Sequence, residues 1–78
     1  MQKIRTLAEL QQGESAVVAD IHAPENMRRR FQDLGFISGA AVQCLQKSPL
    51  GDPTAFLIRG AVIALRCEDS VCVQIQSI

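Results

Sequence analysis

The sequence contains no tryptophan, no tyrosine and only three phenylalanines. Domains that bind RNA or single-stranded DNA usually stack bases on exposed aromatic rings and carry a basic face. Here eight Lys and Arg residues balance eight Asp and Glu residues, so the formal net charge is zero. No overall field draws such a chain to a polyanion. We therefore expect no nucleic-acid partner, and an RNA-binding domain is the weakest functional class for this chain.

Long apolar runs are also missing. The longest one, Ala61 to Leu65, is far shorter than the ~18–20 residues that a membrane-spanning helix needs. The N-terminus shows no apolar core of the kind found in signal peptides. We expect a cytoplasmic chain that meets a membrane only through a partner.

Catalytic signatures are absent as well. The chain has a single histidine, no glycine-rich phosphate loop and no nucleophile paired with a base. The acidic residues are scattered along the sequence. The pattern predicts a binding protein that is not an enzyme and that carries no cofactor.

The three cysteines form no C-x-x-C pair, and their odd number speaks against a disulfide framework. A zinc or soft-metal site needs three or four ligands that converge on one ion. Without a local chelating pair no metal site is predicted, because a free cysteine most often serves as a small core hydrophobe. The weak candidates for metal ligands are His22, Cys44, Cys67 and Cys72.

What remains is a chain of 78 residues, of which 47% are hydrophobic, enough for one small core. We expect a single domain over residues 1–78. A helical turn with capping-box spacing starts at Thr6, and a helix runs from Pro24 to Gly35. Short β-propensive stretches separated by turn residues are typical of a small barrel. The predicted strands cover residues 15–22, 40–47, 54–59, 61–66 and 71–75.

The predicted helix has an apolar stripe of Met27, Phe31 and Leu34 at helical spacing. Arg28 and Arg29 lie outside this stripe and should point to solvent. They form either an ordinary solvated face or a docking patch for an acidic surface or for lipid headgroups. The spacing leaves both interpretations open.

Two prolines make the loop from Pro49 to Pro53 a rigid connection between strands. Leu50 at its tip either folds back over the end of the barrel or anchors a partner. We select Leu50 and Asp52, together with Arg28 and Arg29, as candidate partner contacts.

Four motifs together resemble the FeoA family, the small ferrous iron transport protein A. They are L-x-x-L-x-x-G-E at residues 7–14, R-R-R-F-Q-D-L-G at 28–35, P-L-G-D-P at 49–53 and A-L-R at 64–66. The resemblance implies an all-β, β-rich SH3-like small barrel with short helices, one of them between the first two strands. It also implies an accessory role in ferrous iron uptake. The implied partner is FeoB, a membrane ferrous-iron transporter with a cytosolic GTP-binding domain.

One alternative is a metal-responsive regulatory domain, because a similar barrel occurs in some metal-dependent repressors. That function requires a convergent ligand set and tightly bound metal. Exposed barrel edges also allow copies of the chain to pair, so a homo-oligomer remains open.

Overall fold

The computed structural model describes residues 5–48 and 52–77. Its six strands form one antiparallel sheet in the order β1-β6-β2-β3-β4-β5. This confirms the predicted all-β class, with a helix between the first two long strands. The short strand β1 was not predicted from the sequence. In chain order the elements are β1 (Arg5–Thr6), a 3₁₀ helix (Leu7–Glu9), β2 (Ser15–Ile21), α1 (Glu25–Leu34), β3 (Ala41–Lys47), β4 (Thr54–Ile58), β5 (Ala61–Leu65), α2 (Cys67–Ser70) and β6 (Val73–Ser77).

The core follows the alternation of the central strands. Val42 and Cys44 of β3 are buried, as are Phe56 and Ile58 of β4, while the residues between them are more exposed. A period of two places alternate side chains on opposite faces of a sheet. The burial of Val42 and Cys44 follows this period of two.

The first helical turn begins as predicted at Thr6. The Thr6 N–H donates to Glu9 Oε2 over 3.0 Å, which satisfies a backbone donor at the helix start. The 3₁₀ helix ends at Glu9, so Gly13 does not terminate it. Gly13, with φ +86°, instead belongs to the turn before β2, where its N–H donates to the Cys44 carbonyl.

Helix α1 starts at Glu25, one residue after the predicted Pro24, and its last residue is Leu34, with the predicted Gly35 as its C-cap. Phe31 is buried, but Leu34 is 42% exposed, so the predicted stripe includes one residue that does not belong to the core. The chain reverses at Gly35 and brings Phe36 into the core, where its ring meets that of Phe31 edge-on at 6.0 Å. The core thus takes the side chain of Phe36, beyond the helix, and not that of the exposed Leu34 on the helix.

The second half of the chain forms a hairpin followed by a helical turn. Arg59 and Gly60 both have positive φ and make the two-residue link between β4 and β5. The last strand begins at Val73 and not at the predicted Val71, because the N–H groups of Val71 and Cys72 donate back to carbonyls of α2. No helix in the described part of the chain is long and apolar enough to cross a membrane.

Candidate docking surface on helix α1

Three consecutive arginines project from α1, and all three are exposed. Successive residues on a helix are separated by about 100°, so the three side chains leave the helix in different directions. Arg28 lines a groove between α1 and β2, and Arg30 lines a groove between α1 and α2. Arg29 borders neither groove. The predicted solvent exposure of Arg28 and Arg29 agrees with this placement.

The groove between α1 and α2 is lined by both apolar and charged side chains. Arg30 and Asp69 bring opposite charges to it, and the 42% exposed Leu34 contributes apolar surface. A concave apolar site with a few polar groups at its margin suits one apolar side chain of a partner. We call it the α1–α2 groove; it is lined by Met27, Arg30, Phe31, Leu34, Leu65 and Asp69.

The α1–α2 groove was not predicted from the sequence. Asp69 comes from α2 and Arg30 from α1, so no local spacing connects them. The available signal was the apolar stripe of α1, whose last member is Leu34. The exposed Leu34, which lines the groove together with Arg30 and Asp69, marks the position where this stripe leaves the core.

The groove between α1 and β2 is more polar. Arg28 and Asp20 both line it, above the buried Phe36. Asp20 Oδ1 accepts the N–H of Ile21 at 2.8 Å, and Oδ2 lies 3.3 Å from His22 Nε2. Asp20 thereby contacts His22 and borders the same groove as Arg28.

Asp52 has a structural contact that the sequence did not reveal. Its Oδ1 accepts the N–H of Cys67, the first residue of α2, at 2.9 Å. Ser48 holds Asp52 in place, since the Ser48 hydroxyl donates to the Asp52 carbonyl and accepts the Asp52 N–H. Asp52 lines neither α1 groove. Leu50, the fourth predicted contact, lies outside the described residues.

The four weak metal candidates occupy different surroundings. Cys44 is fully buried, and burial raises the pKa of its thiol. Cys67 is exposed, while the part-buried Cys72 lies with Sγ 3.7 Å from the Glu68 carbonyl oxygen. His22 is next to Asp20. Across residues 5–48 and 52–77, no three or more His, Cys, Asp or Glu side chains are grouped so that they could hold a metal ion.

The ion pair with the clearest electrostatic effect lies away from α1. Both Arg5 terminal nitrogens donate to the Glu14 carboxylate, at 2.8 and 3.0 Å. Glu14 Oε1 also accepts the N–H of Gln11 at 2.9 Å. The hydrogen bond from Arg5, followed by the one from Gln11, lowers the pKa of Glu14 to about 2. This pair joins β1 to the turn that precedes β2.

A family model described as "FeoA domain" matches residues 5–77. The chain belongs to the FeoA family. It is 31% identical to the FeoA protein of Chlorobium tepidum, with a TM-score of 0.88 over 95% of this chain and 70% of that one. It is 33% identical to FeoA of Stenotrophomonas maltophilia, solved with zinc and described as a prokaryotic SH3 domain protein. That match has a TM-score of 0.81 over 92% of this chain and 89% of the other. The predicted family and SH3-like fold are confirmed.

A curated relative connects the FeoA family to a transporter. The chain is 31% identical over 72 residues to an Fe(2+) transport protein A/Fe(2+) transporter FeoB fusion protein of Porphyromonas gingivalis. The match covers 92% of this chain but only 8% of the fusion protein. In that organism, FeoA and FeoB parts therefore share one polypeptide.

Proposed function

We propose that this FeoA-family domain is a non-catalytic, cytoplasmic accessory protein that docks on the cytosolic part of a FeoB-type transporter and modulates ferrous iron uptake. The observation that carries the proposal is the Porphyromonas gingivalis protein, in which FeoA and FeoB are fused. A covalent link raises the effective concentration of one part for the other. A fusion of this kind favours a direct physical interaction between the two parts.

The surface of α1 supplies features that suit such docking. Arg28 and Arg29 are exposed, and neither pairs with a carboxylate among the described residues. In a chain with zero net charge each of these guanidiniums is an exposed positive charge that can accelerate association with an acidic partner surface.

The α1–α2 groove lies along the same helix and offers an anchor point. Leu34 and Phe31 provide apolar surface there, and the nearby Arg30 and Asp69 can orient polar groups around an inserted side chain. The partner segment that fits best is acidic and carries one apolar side chain. Leu50 and Asp52, in the loop between β3 and β4, form the second part of the proposed contact.

The decisive experiment is a pull-down with the full transporter, in the absence and presence of guanine nucleotides. Arg29→Glu should weaken the complex by at least about tenfold at low salt, because the reversed charge repels an acidic surface. Arg59→Glu makes the same charge change at an exposed position that lines neither α1 groove, and it should leave binding close to wild type. The absence of a complex in every nucleotide state would overturn the docking function. Equal losses in both variants would move the contact away from α1.

A metal-responsive regulatory domain is the second candidate, because the Stenotrophomonas maltophilia relative was solved with zinc. The described residues of this chain provide no group of three ligands, which places this function behind the adaptor. Metal analysis of the purified protein separates the two. Tightly bound stoichiometric metal favours the regulatory domain, and its absence favours the adaptor.

A further inference from the structure

Strand β5 is the last strand at one side of the sheet, and within the described part of the chain it pairs only with β4. The two-residue link at Arg59–Gly60 closes on the pair Ile58 and Ala61. In such a hairpin the two residues that flank the link exchange two backbone hydrogen bonds with each other. Further along the strands, pairs that exchange such bonds alternate with pairs that do not. Ala61, Ile63 and Leu65 therefore bond to β4. Val62 and Ala64 direct their N–H and C=O groups to the outer side.

These four outward groups lack hydrogen-bond partners among residues 5–48 and 52–77. The side chains of these two residues are also exposed to solvent: Val62 is 65% exposed, and Ala64 is exposed. Even Ala61, which faces the core side of the sheet, is exposed, whereas its partner Ile58 is fully buried. The described residues thus leave the edge of β5 uncovered.

The edge also lacks the features by which natural sheets prevent strand pairing. Proteins commonly protect an edge with proline, charged side chains or a bulge. The segment from Ala61 to Leu65 is uncharged and contains no proline. Register shifts interrupt the β2–β6 and β3–β4 pairs, but the β4–β5 pair continues without one.

We propose that β5 pairs with β5 of a second copy of this chain, antiparallel, about a two-fold axis at Ile63. In this register Val62 of each copy lies opposite Ala64 of the other. The four outward backbone groups of one copy then meet the four of the other, and each finds a partner. A shift by one residue would place Val62 opposite Ile63, whose groups already bond to β4. A shift by two residues would pair Val62 or Ala64 with a residue outside β5, so only this register pairs all four groups within β5 of both copies.

The side chains around the axis are compatible with self-pairing. The larger Val62 meets the smaller Ala64, and Ile63 meets its own copy on the core side. Beyond the strand, Gly60 lies opposite Arg66, and Arg59 lies opposite Cys67, so no two charged residues are directly opposed. Because the formal net charge of the chain is zero, the copies do not repel each other at long range.

The contact is short for a protein interface. Stable interfaces bury about 1,200–2,000 Å² in total, and a pair of five-residue edges is expected to bury less. The association should consequently depend on concentration in the micromolar to millimolar range. Sedimentation equilibrium across that range should show the mass rising from 8.5 kDa toward twice that value.

Matched variants test the location of the contact. Val62→Lys places a charge diagonally across the axis from its own symmetry mate on the same face of the sheet, and it should weaken self-association by about tenfold. Val71→Lys makes the same change at another exposed valine, in the turn after α2, and should associate like wild type. Far-UV circular dichroism establishes that both variants are folded.

Amide hydrogen exchange supplies a second readout that assigns the register. As concentration rises, exchange should slow at Val62 and Ala64 and remain unchanged at Ala61, Ile63 and Leu65, which β4 already protects. A constant mass over the full range would overturn the proposal. So would association that leaves the Val62 and Ala64 amides unaffected, or equal behaviour of the two lysine variants.

Discussion

At the scale of single residues, Glu14 makes stability depend on pH in a predictable direction. Its folded pKa of about 2 lies below its ordinary value of 4.5, so the folded state holds this proton less readily than the unfolded state. The stabilisation is therefore complete above about pH 4.5 and is lost as the pH falls toward 2. Urea unfolding between these pH values should show stability declining with acidity.

Glu14→Gln should make this decline less steep, because a neutral amide cannot lose the same charge–charge interaction with Arg5. The control Glu25→Gln also removes one carboxylate, but from a residue that forms no ion pair within the described segments. It should retain more of the wild-type pH dependence than Glu14→Gln does. If the two variants show the same pH dependence, the pair between Arg5 and Glu14 is not the source of the effect.

Asp52 gives a second prediction at the residue scale. Its carboxylate accepts the first N–H of α2. Asp52→Ala should therefore lower the free energy of unfolding by about 1 kcal/mol, as the loss of a helix cap does. Asp52→Asn keeps an oxygen acceptor and should be less destabilising. Chemical denaturation measures both values. Equal losses in the two variants would show that the hydrogen bond to Cys67 contributes nothing.

At the scale of elements, the C-terminal end of α1 depends on Gly35. Its φ of +113° is rarely adopted by residues with a side chain, and an added Cβ would lie 3.3 Å from Cδ of Arg59. Gly35→Ala should therefore destabilise the fold by about 1–3 kcal/mol. Gly13→Ala is the matched control, because Gly13 also has positive φ but has open space around it.

Gly13→Ala should lower the free energy of unfolding by less than Gly35→Ala does, since only backbone strain contributes at Gly13. Removing the neighbouring side chain by Arg59→Ala should recover part of the loss at Gly35 but none at Gly13. Urea unfolding of the single and double variants gives both comparisons. A greater loss at Gly13 than at Gly35 would contradict this account of the helix end.

Elements defined by local chemistry were predicted well from the sequence. The glycine after α1 and the break between two strands at Gly60 each depend on a few neighbouring residues. The start of β6 was missed because hydrogen bonds back to α2 override the β propensity of Val71. Leu34 was misplaced, since it is exposed while Phe36, beyond the end of the helix, is buried against Phe31.

The candidate site was less predictable than the fold for the same reason. The exposure of Arg28 and Arg29 follows from the period of one helix, so it could be predicted from the sequence. The α1–α2 groove and the bond from Asp52 to Cys67 join segments that are distant along the chain. Only the folded sheet brings these segments together, so no local pattern records them.

At the scale of the whole molecule, residues from both ends of the described chain share one core. Leu7 of the 3₁₀ helix and Ile75 of β6 belong to the same buried cluster as Phe56 of β4. β1 pairs with β6 at the side of the sheet opposite β5. No described element has a core of its own, so the chain should unfold as one cooperative unit.

Calorimetry of a dilute sample, below the concentration at which β5 edges pair, should therefore give equal calorimetric and van't Hoff enthalpies. Leu7→Ala should cost about 2–5 kcal/mol, because Leu7 is fully buried. That loss is a large part of the roughly 4–12 kcal/mol expected for a domain of this size. Amide exchange through global opening should then accelerate by the same factor in β4 and in β6. Acceleration in β6 alone, or two separate transitions, would show that the two ends of the chain unfold independently.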